Sequence, residues 1–293
     1  MMAIDVNSNP FKNFNPFTPS IHNTTKNNYF NGIIPNYFVK KSKDFKLIEI
    51  QSQYCQDSIF NNIDLNETIH SLKQKGISRN LNLPAQIIQE IRDLALTTPC
   101  HEPNNTRFSC DVSEKEQVMM QREKQLIRGI YDNTLLSCPT IKKLETDPTL
   151  LAIAATYLNA EPIHHDTQLW WSFAVESTLY ERRQEAQRFY RATNNPRSLT
   201  FYFYLTNVDL CSNPHVCVLE SHRKKKLGYR FLSKDYSLQD ISKYYGYHNI
   251  TSICGKAGLG FVEDARCFRK KSSPSSNDRL TLELKFAAKP RSI

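Results

Sequence analysis

The chain has 293 residues, 40% of them hydrophobic, which is enough to bury the core of one large domain or two small ones. Lysine and arginine outnumber aspartate and glutamate by 38 to 29, so the net charge of +9 favours an anionic partner without naming it. No apolar run approaches the roughly 20 residues that cross a bilayer, and no secretory signal or nucleic-acid-binding signature is present. We therefore expect a cytoplasmic protein without a membrane span or a specific nucleic-acid partner.

Residues 1–60 form a leader rich in Asn, Phe and Pro. Its first part, Asn9–Phe17, breaks both helical and strand periodicity, so this leader is predicted to be partly disordered. Regular apolar patterns begin near residue 61. The predicted organisation is therefore a leader at 1–60 and one domain at 61–293.

Helical patterns precede the main strands. Asn66 and Asp147 are good N-caps, Pro84 is a good first residue for a helix, and Gly76 supplies a left-handed stop. The segment 97–107 has the composition of turns. The predicted helices lie at 66–76, 84–96, 114–131 and 147–158.

From residue 162 onward the apolar pattern becomes that of β-strands. Pro162–Val175 carries paired aromatic residues, and Arg279–Phe286 alternates cleanly between apolar and polar residues. Further predictions are a short helix at 237–245 and strands at 250–254 and 261–264. Many short strands after several helices predict a mostly β fold with supporting helices (α+β) around a jelly-roll core.

The stretch Phe201–His222 predicts two strands that meet at a corner, because an aromatic run and an alternating run flank the turn Ser212-Asn213-Pro214. The stretch resembles the central motif of the phytanoyl-CoA dioxygenase family, which reads Tyr-Leu-Thr-Asp-Val-Asp, then Gly-Pro-His, then Gly-Ser-His. This resemblance covers most of the chain. It implies a cupin-like double-stranded β-helix that uses Fe(II) and 2-oxoglutarate, with supporting rather than metal-binding roles for His215 and His222.

The resemblance also implies three metal ligands, and all three are replaced. Oxygenases of this class hold iron with two histidines and one carboxylate on one face of the metal. The family's His-X-Asp pair falls on Tyr190 and Ala192 of this chain, and its second histidine falls on Arg269. The implied metal-binding triad is therefore degenerate, and neither bound Fe(II) nor a standard catalytic set is expected.

The co-substrate anchor of the family is retained. Family members hold the distal carboxylate of 2-oxoglutarate with an arginine, followed two residues later by Ser or Thr, and Arg279 and Thr281 occupy these positions. We hypothesise that Arg269 and Arg279 together clamp a dicarboxylate or another acidic ligand without metal. The alternative is that Arg269 faces solvent beside Lys270 and Lys271.

Two other groups of residues have metal-binding chemistry. His164-His165-Asp166 contains a literal His-X-Asp, to which His215 or His222 could add a third ligand, but it lies one strand too early for the family's geometry. The eight scattered cysteines are interpreted as reduced core thiols. A zinc site is the alternative for four residues, although their spacing matches no standard module: Cys100, His101, Cys110 and Cys138.

The leading hypothesis is a phytanoyl-CoA dioxygenase-like protein that has lost its iron site and binds a small anionic ligand or a protein partner without oxygenase activity. The alternatives are an active Fe(II)/2-oxoglutarate-dependent hydroxylase with non-standard ligands and a metal-free enzyme in which Tyr190 acts as acid or base. The basic run His222–Lys226 would attract an acyl thioester, a carrier-bound group or an anionic head group. Its alternative is a solvated loop.

Overall fold

The structure of the protein is a computed structural model. It describes residues 58–103, 105–122, 125–132, 138–174, 188–191, 197–224, 236–270 and 276–289. Almost all of the predicted leader lies outside these residues, as does Ala192. Within the described ranges, no helix is long and apolar enough to cross a membrane.

Six α-helices lie in the described part of the chain; the predicted cap at Asp147 is confirmed, and the helix at Pro139–Glu145 was not predicted. Asp64, rather than Asn66, caps the first helix by accepting from the Glu67 amide, and Gly76 ends it with φ 83°. The predicted helix 114–131 was wrong in its last part, because the helix is Lys115–Arg122 and Arg128–Ile130 forms a strand. The helices are α1 (Leu65–Lys75), α2 (Ala85–Thr97), α3 (Lys115–Arg122), α4 (Pro139–Glu145), α5 (Pro148–Leu158) and α6 (Leu238–Tyr245).

Twelve strands are present among the same residues, and they include two in the segment 97–107 that was predicted to be turns. That segment was misjudged because its short strands are stabilised by pairing with each other and with a third strand, which local composition does not show. The strands are β1 (Ile77–Asn82), β2 (Cys100–Glu102), β3 (Asn105–Cys110), β4 (Arg128–Ile130), β5 (Pro162–Ser172), β6 (Phe189–Tyr190), β7 (Ser198–Tyr204), β8 (His215–Val218), β9 (Ile250–Ile253), β10 (Leu259–Asp264), β11 (Arg269–Lys270) and β12 (Arg279–Ala288).

These strands form two antiparallel sheets. The larger sheet has the order β1-β10-β7-β12-β5-β4-β2-β3, and the smaller has the order β6-β11-β8-β9. The predicted corner in Phe201–His222 is confirmed, because β7 belongs to the larger sheet and β8 to the smaller one. This mostly β arrangement with supporting helices is a double-stranded β-helix, as predicted.

The two faces of the larger sheet have different partners. Phe201 and Phe203 of β7 belong to a core that includes the helices, whereas Tyr202 and Tyr204 belong to a second cluster with Cys217 of the smaller sheet. Successive side chains of a strand point to opposite faces, so a single strand supplies both cores. The second face is the one that surrounds the space between the sheets.

Asp264, at the end of β10, joins the larger sheet to α5. Its carboxylate accepts from the Tyr157 hydroxyl at 2.6 Å and from Nε and Nη2 of Arg266. Burial by itself would raise the pKa of Asp264, but the hydrogen bonds and charge of Arg266, together with the Tyr157 bond, lower it. This carboxylate is therefore stabilised in its ionised form.

Replacing Asp264 by asparagine is expected to lower the free energy of unfolding by about 2–3 kcal/mol at pH 6. The folded-state pKa lies below the unfolded value of about 3.9, so the stabilisation is complete above that value and is lost as the pH falls through the folded-state pKa. Urea unfolding at pH 6 and pH 3 should therefore show a smaller difference between wild type and variant at pH 3. Asp93→Asn, on the exposed face of α2, is the control; an equal loss for Asp264→Asn at both pH values would contradict the prediction.

Candidate functional site

The candidate site lies on the face of the larger sheet that is turned toward the smaller sheet. In the ladder, Thr281 of β12 pairs with both Trp170 and Tyr204, and Glu283 pairs with Gln168 on one side. Directly paired residues of antiparallel strands point to the same face. One face therefore carries aromatic, hydroxyl and charged side chains from three neighbouring strands.

Arg269 points into this space and not to solvent, so the solvent-facing alternative was wrong. Only 8% of the residue is accessible. Its guanidinium donates to the Tyr202 hydroxyl and, at 3.3 Å, to the carbonyl of Ala265, and Nη1 lies 3.9 Å from Oε2 of Glu263. Burial opposes the charge, but Tyr202 and Glu263 outweigh it and raise the pKa of Arg269. The guanidinium of Arg269 is thus permanently charged, and its partner, the carboxylate beside it, belongs to the protein.

That partner, Glu263, was missed by the sequence analysis. Its side chain is fully buried on β10, and Nε2 of His215 lies 2.9 Å from Oε2. An ionised carboxylate only accepts, so the imidazole donates here. The sequence did contain a signal for this ion pair, because Glu263 stands inside the apolar run of β10. A carboxylate is rarely buried without a partner, so a cation or a donor could have been expected beside it. His215 therefore supports a buried ion pair.

The other histidine of the motif, His222, has a different neighbour. Its Nε2 atom lies 3.1 Å from the backbone carbonyl oxygen of Lys73, near the end of α1.

Tyr190 lies next to Arg269, whereas their correspondence to metal ligands of the resembled family stays a prediction. The two residues are direct partners in the β6–β11 ladder. Burial raises the pKa of Tyr190 to about 12, although the charge of Arg269 opposes the shift. The phenol is therefore neutral at physiological pH. The third position, Ala192, lies outside the described residues.

Iron does not fit the side chains at these positions. A guanidinium offers no lone pair to a metal, and a neutral phenol is a poor ligand compared with imidazole or carboxylate. Across the described ranges, no group of three or more His, Cys, Asp or Glu residues could hold a metal ion. Tyr190 and Arg269 therefore offer no ligand set for iron.

The side chains of the alternative His-X-Asp pair, His164 and Asp166, do not point toward a common metal position. His164 pairs with Phe286 and Asp166 pairs with Lys285, with a register shift between the two pairs. His164 consequently packs against the ring of Phe286 on the helical side of the sheet, whereas Asp166 accepts from Gln168 on the other side. A bulge of this kind turns two residues that would share a face onto opposite faces. This pair therefore cannot supply two ligands to one metal.

The residues of the alternative zinc site do not form one either. Cys100 and Cys110 are direct partners across β2 and β3, both buried, while the Cys138 sulfur accepts from the Ile141 amide at the start of α4. Burial, with the nearby Cys110, raises the pKa of Cys100 to about 12, so this group is a neutral thiol. None of the cysteines in the described ranges forms a disulfide, in agreement with the interpretation as thiols. Their predicted place in the core was wrong for Cys211 and Cys254, which are exposed.

Arg279 and Thr281 lie two residues apart on the interior face of β12. The Arg279 guanidinium donates to the carbonyl of Asn213, a corner residue with φ 52°, and to the Ser172 hydroxyl at 3.4 Å. Burial lowers the pKa of Arg279. Nε of Arg279 and Oγ1 of Thr281 are both buried and have no hydrogen-bond partner in the structure as described. These two polar groups match the donors that a carboxylate needs.

No protein-family model matches this chain, and no curated protein sequence does either. Solved structures do match. The non-heme α-ketoglutarate-dependent carbocyclase SnoK from nogalamycin biosynthesis has a TM-score of 0.52 at 11% identity, covering 79% of this chain and 86% of that one. EctD from S. alaskensis has a TM-score of 0.52 at 14% identity, covering 77% of each chain. AviO1 from Streptomyces viridochromogenes Tue57 has a TM-score of 0.50 at 12% identity, covering 79% of this chain and 99% of that one.

Identities this low establish the fold and leave the chemistry open. The narrower assignment to the phytanoyl-CoA dioxygenase family stays a prediction. The chain has the double-stranded β-helix fold found in non-heme α-ketoglutarate-dependent enzymes.

Proposed function

We propose that this chain is a phytanoyl-CoA dioxygenase-like protein that binds a small carboxylate ligand between its sheets, without iron and without oxygenase activity. The observation that carries the proposal is the pair of buried polar atoms without partners, Arg279 Nε and Thr281 Oγ1, on the interior face of β12. A buried donor left unsatisfied costs about 1–3 kcal/mol. A bound carboxylate would satisfy both groups and neutralise the charge of Arg279.

The position of this pair supports the same function. It matches the arginine and hydroxyl with which the resembled family holds the distal carboxylate of 2-oxoglutarate. A structural neighbour, EctD, has been solved with 2-oxoglutarate and 5-hydroxyectoine. The fold therefore accommodates a carboxylate ligand, and Arg279 and Thr281 would hold it here.

The absence of oxygenase activity is proposed because Arg269 replaces a metal ligand and already has its own partners. Its charge lies beside Glu263 and Tyr202, so it forms part of the wall of the site. Nε of Arg269, like that of Arg279, is buried without a hydrogen-bond partner among the described residues, but a carboxylate already lies beside the Arg269 guanidinium. Arg279 with Thr281 is therefore the proposed anchor, and Arg269 mainly balances the charge of Glu263. Tyr190, as a neutral phenol, is available only as a hydrogen-bonding group at physiological pH.

Calorimetry with hexanoate and 2-oxoglutarate tests the anchor. Arg279→Ala and Thr281→Val are expected to weaken the binding of whichever carboxylate binds by about 10- to 100-fold, because each removes a hydrogen bond to a charged group. Arg79→Ala, at an exposed position on β1, is the matched control and should leave the affinity unchanged. Binding that is undetectable in wild type, or unaffected in both variants, would dispose of the proposal.

The same protein should also be tested for oxygenase chemistry. After anaerobic incubation with Fe(II) and desalting, we expect no stoichiometric iron by elemental analysis and no oxygen uptake that depends on 2-oxoglutarate. Stoichiometric iron together with such uptake would instead favour the active hydroxylase with non-standard ligands.

A further inference from the structure

A third polar residue lies on the same face of β12 as Arg279 and Thr281. Glu283 is the next residue of β12 on the interior face, paired with Gln168 and Tyr202 in the ladder. The anchor and this carboxylate therefore lie on one line along a single strand. Any ligand held at Arg279 that extends along β12 must pass or contact Glu283.

Glu283 has accepting capacity that the described protein does not use. Its side chain forms no hydrogen bond with, and no ion pair within 4.0 Å of, any described residue, and the residue is only partly buried. Burial raises its pKa, and the charges of Arg269 and Arg128 oppose this shift. We call the space in front of this half-buried carboxylate, on the face toward the smaller sheet, the recess. Its ionised form would be stabilised by a donor brought by a ligand.

The charged side chains near Glu283 include more guanidiniums than carboxylates. The charges of Arg128 and Arg269 act on Glu283, and Glu263 lies beside Arg269. Arg279 lies four residues away on the same face of β12. With both carboxylates ionised, these three guanidiniums and two carboxylates sum to a net charge of +1. Farther along the ladder, Lys285 and Asp166 are direct partners and cancel each other. A dianion would reverse the net charge and bring its second carboxylate toward Glu283. Two like charges in a recess of low polarity repel strongly.

We propose that the ligand of this site carries a single carboxylate, held by Arg279 and Thr281, and a hydrogen-bond donor at its far end, either an ammonium or a hydroxyl group, that binds Glu283. This rests on the proposed function and narrows it, because dicarboxylates such as 2-oxoglutarate become the disfavoured class. The discriminating group is Glu283.

The strand sets the length of such a ligand. Residues 279 and 283 are four apart, so at about 3.4 Å per residue their Cα atoms are about 14 Å apart. Thr281, which holds the same carboxylate, is only two residues and about 7 Å from Glu283, so about 14 Å is the upper limit of the span. Two hydrogen bonds of about 2.9 Å and a chain of six carbons reach this limit when both side chains stand upright from the sheet. Six-carbon acids that differ only in the terminal group are therefore the longest probes that this spacing allows.

The test is calorimetry at pH 8 with 6-aminohexanoate, 6-hydroxyhexanoate and adipate. At least one of the first two is expected to bind about 10-fold or more tightly than adipate, since a donor to a carboxylate contributes about 1.5–3 kcal/mol. Glu283→Gln should remove the preference by weakening the donor ligand and strengthening adipate. Glu67→Gln, at an exposed position of α1, is the matched control and should keep the preference. If Glu283→Gln does not fold, Glu283→Met replaces it.

The possible results distinguish a failure of this inference from a failure of the proposed function. Adipate binding more tightly than both other ligands, in a manner abolished by Arg279→Ala, would overturn the inference and leave the carboxylate site standing. A preference that survives in both Glu283 variants would also overturn it. Failure of all three ligands to bind, or binding insensitive to Arg279→Ala, would overturn the proposed function and the inference together.

Discussion

Arg269→Met is expected to lower the free energy of unfolding by about 3–5 kcal/mol, because it leaves the buried carboxylate of Glu263 without its cation. The side chains are almost inaccessible, 9% for Arg269 and 0% for Glu263, so water cannot take over the lost interaction. Urea unfolding followed by circular dichroism measures the loss. Lys289→Met is the matched control: its ion pair with Glu161 is exposed and should contribute at most about 1 kcal/mol.

The double variant Arg269→Met with Glu263→Gln should recover part of that loss. Removing both charges eliminates the uncompensated carboxylate, so the double variant is expected to be more stable than Arg269→Met alone. The His215 hydrogen bond can persist, since a glutamine oxygen also accepts. If the two single effects simply add, the two side chains are not coupled, and the description of Arg269 as the counter-charge of Glu263 would have to be abandoned.

Gly260→Ala should be comparably harmful, with a loss of about 3 kcal/mol or more and a fall in Tm of about 10 °C. Gly260 is the second residue of β10, with β1 on one side and β7 on the other. An added Cβ would collide with the backbone carbonyl of Leu81 and approach the Phe203 ring to 2.6 Å. Because the carbonyl belongs to a strand of the same sheet, relief requires moving β1 and not merely rotating a side chain.

Differential scanning calorimetry of Gly260→Ala checks this second prediction. Ser252→Ala, on an exposed strand position of β9, is the control for the alanine itself and should change Tm little. A Tm for Gly260→Ala within a degree or two of wild type would show that β1 can shift freely beside β10. That result would also weaken the description of β10 as a fixed wall of the site.

Together these variants test which side chains and strands form the walls of the recess. The resemblance of the sequence places Tyr190 and Arg269 at positions that hold metal ligands in facial-triad enzymes, and this correspondence stays a prediction. In this chain the corresponding charge is a guanidinium that belongs to the fold and cannot dissociate, with Glu263 as its counter-charge. The stability of the protein should therefore be insensitive to chelators, whereas the stability of a fold that depends on a bound metal is not.

Local signals along the chain were sufficient for most of the scaffold. The stop at Gly76 and the cap at Asp147 were predicted correctly, because helix ends are decided by the residues at the ends themselves. The strand within Phe201–His222 was found for a similar reason, since an aromatic run of this kind suits a buried strand. The spacing of Arg279 and Thr281 placed both side chains on one face, because a strand repeats every two residues.

The composition of the site depended on contacts that sequence spacing does not encode. The separation of His164 from Asp166 comes from a bulge opposite β12, and the pairing of Arg269 with Glu263 brings together two strands that belong to different sheets. Strand register and the distance between sheets are set by packing over the whole molecule. The sequence by itself therefore determined which residue types and which strand faces were available. Only the tertiary structure decided that the guanidinium of Arg269 lies beside Glu263 and that the side chain of Glu283 forms no hydrogen bond with a described residue.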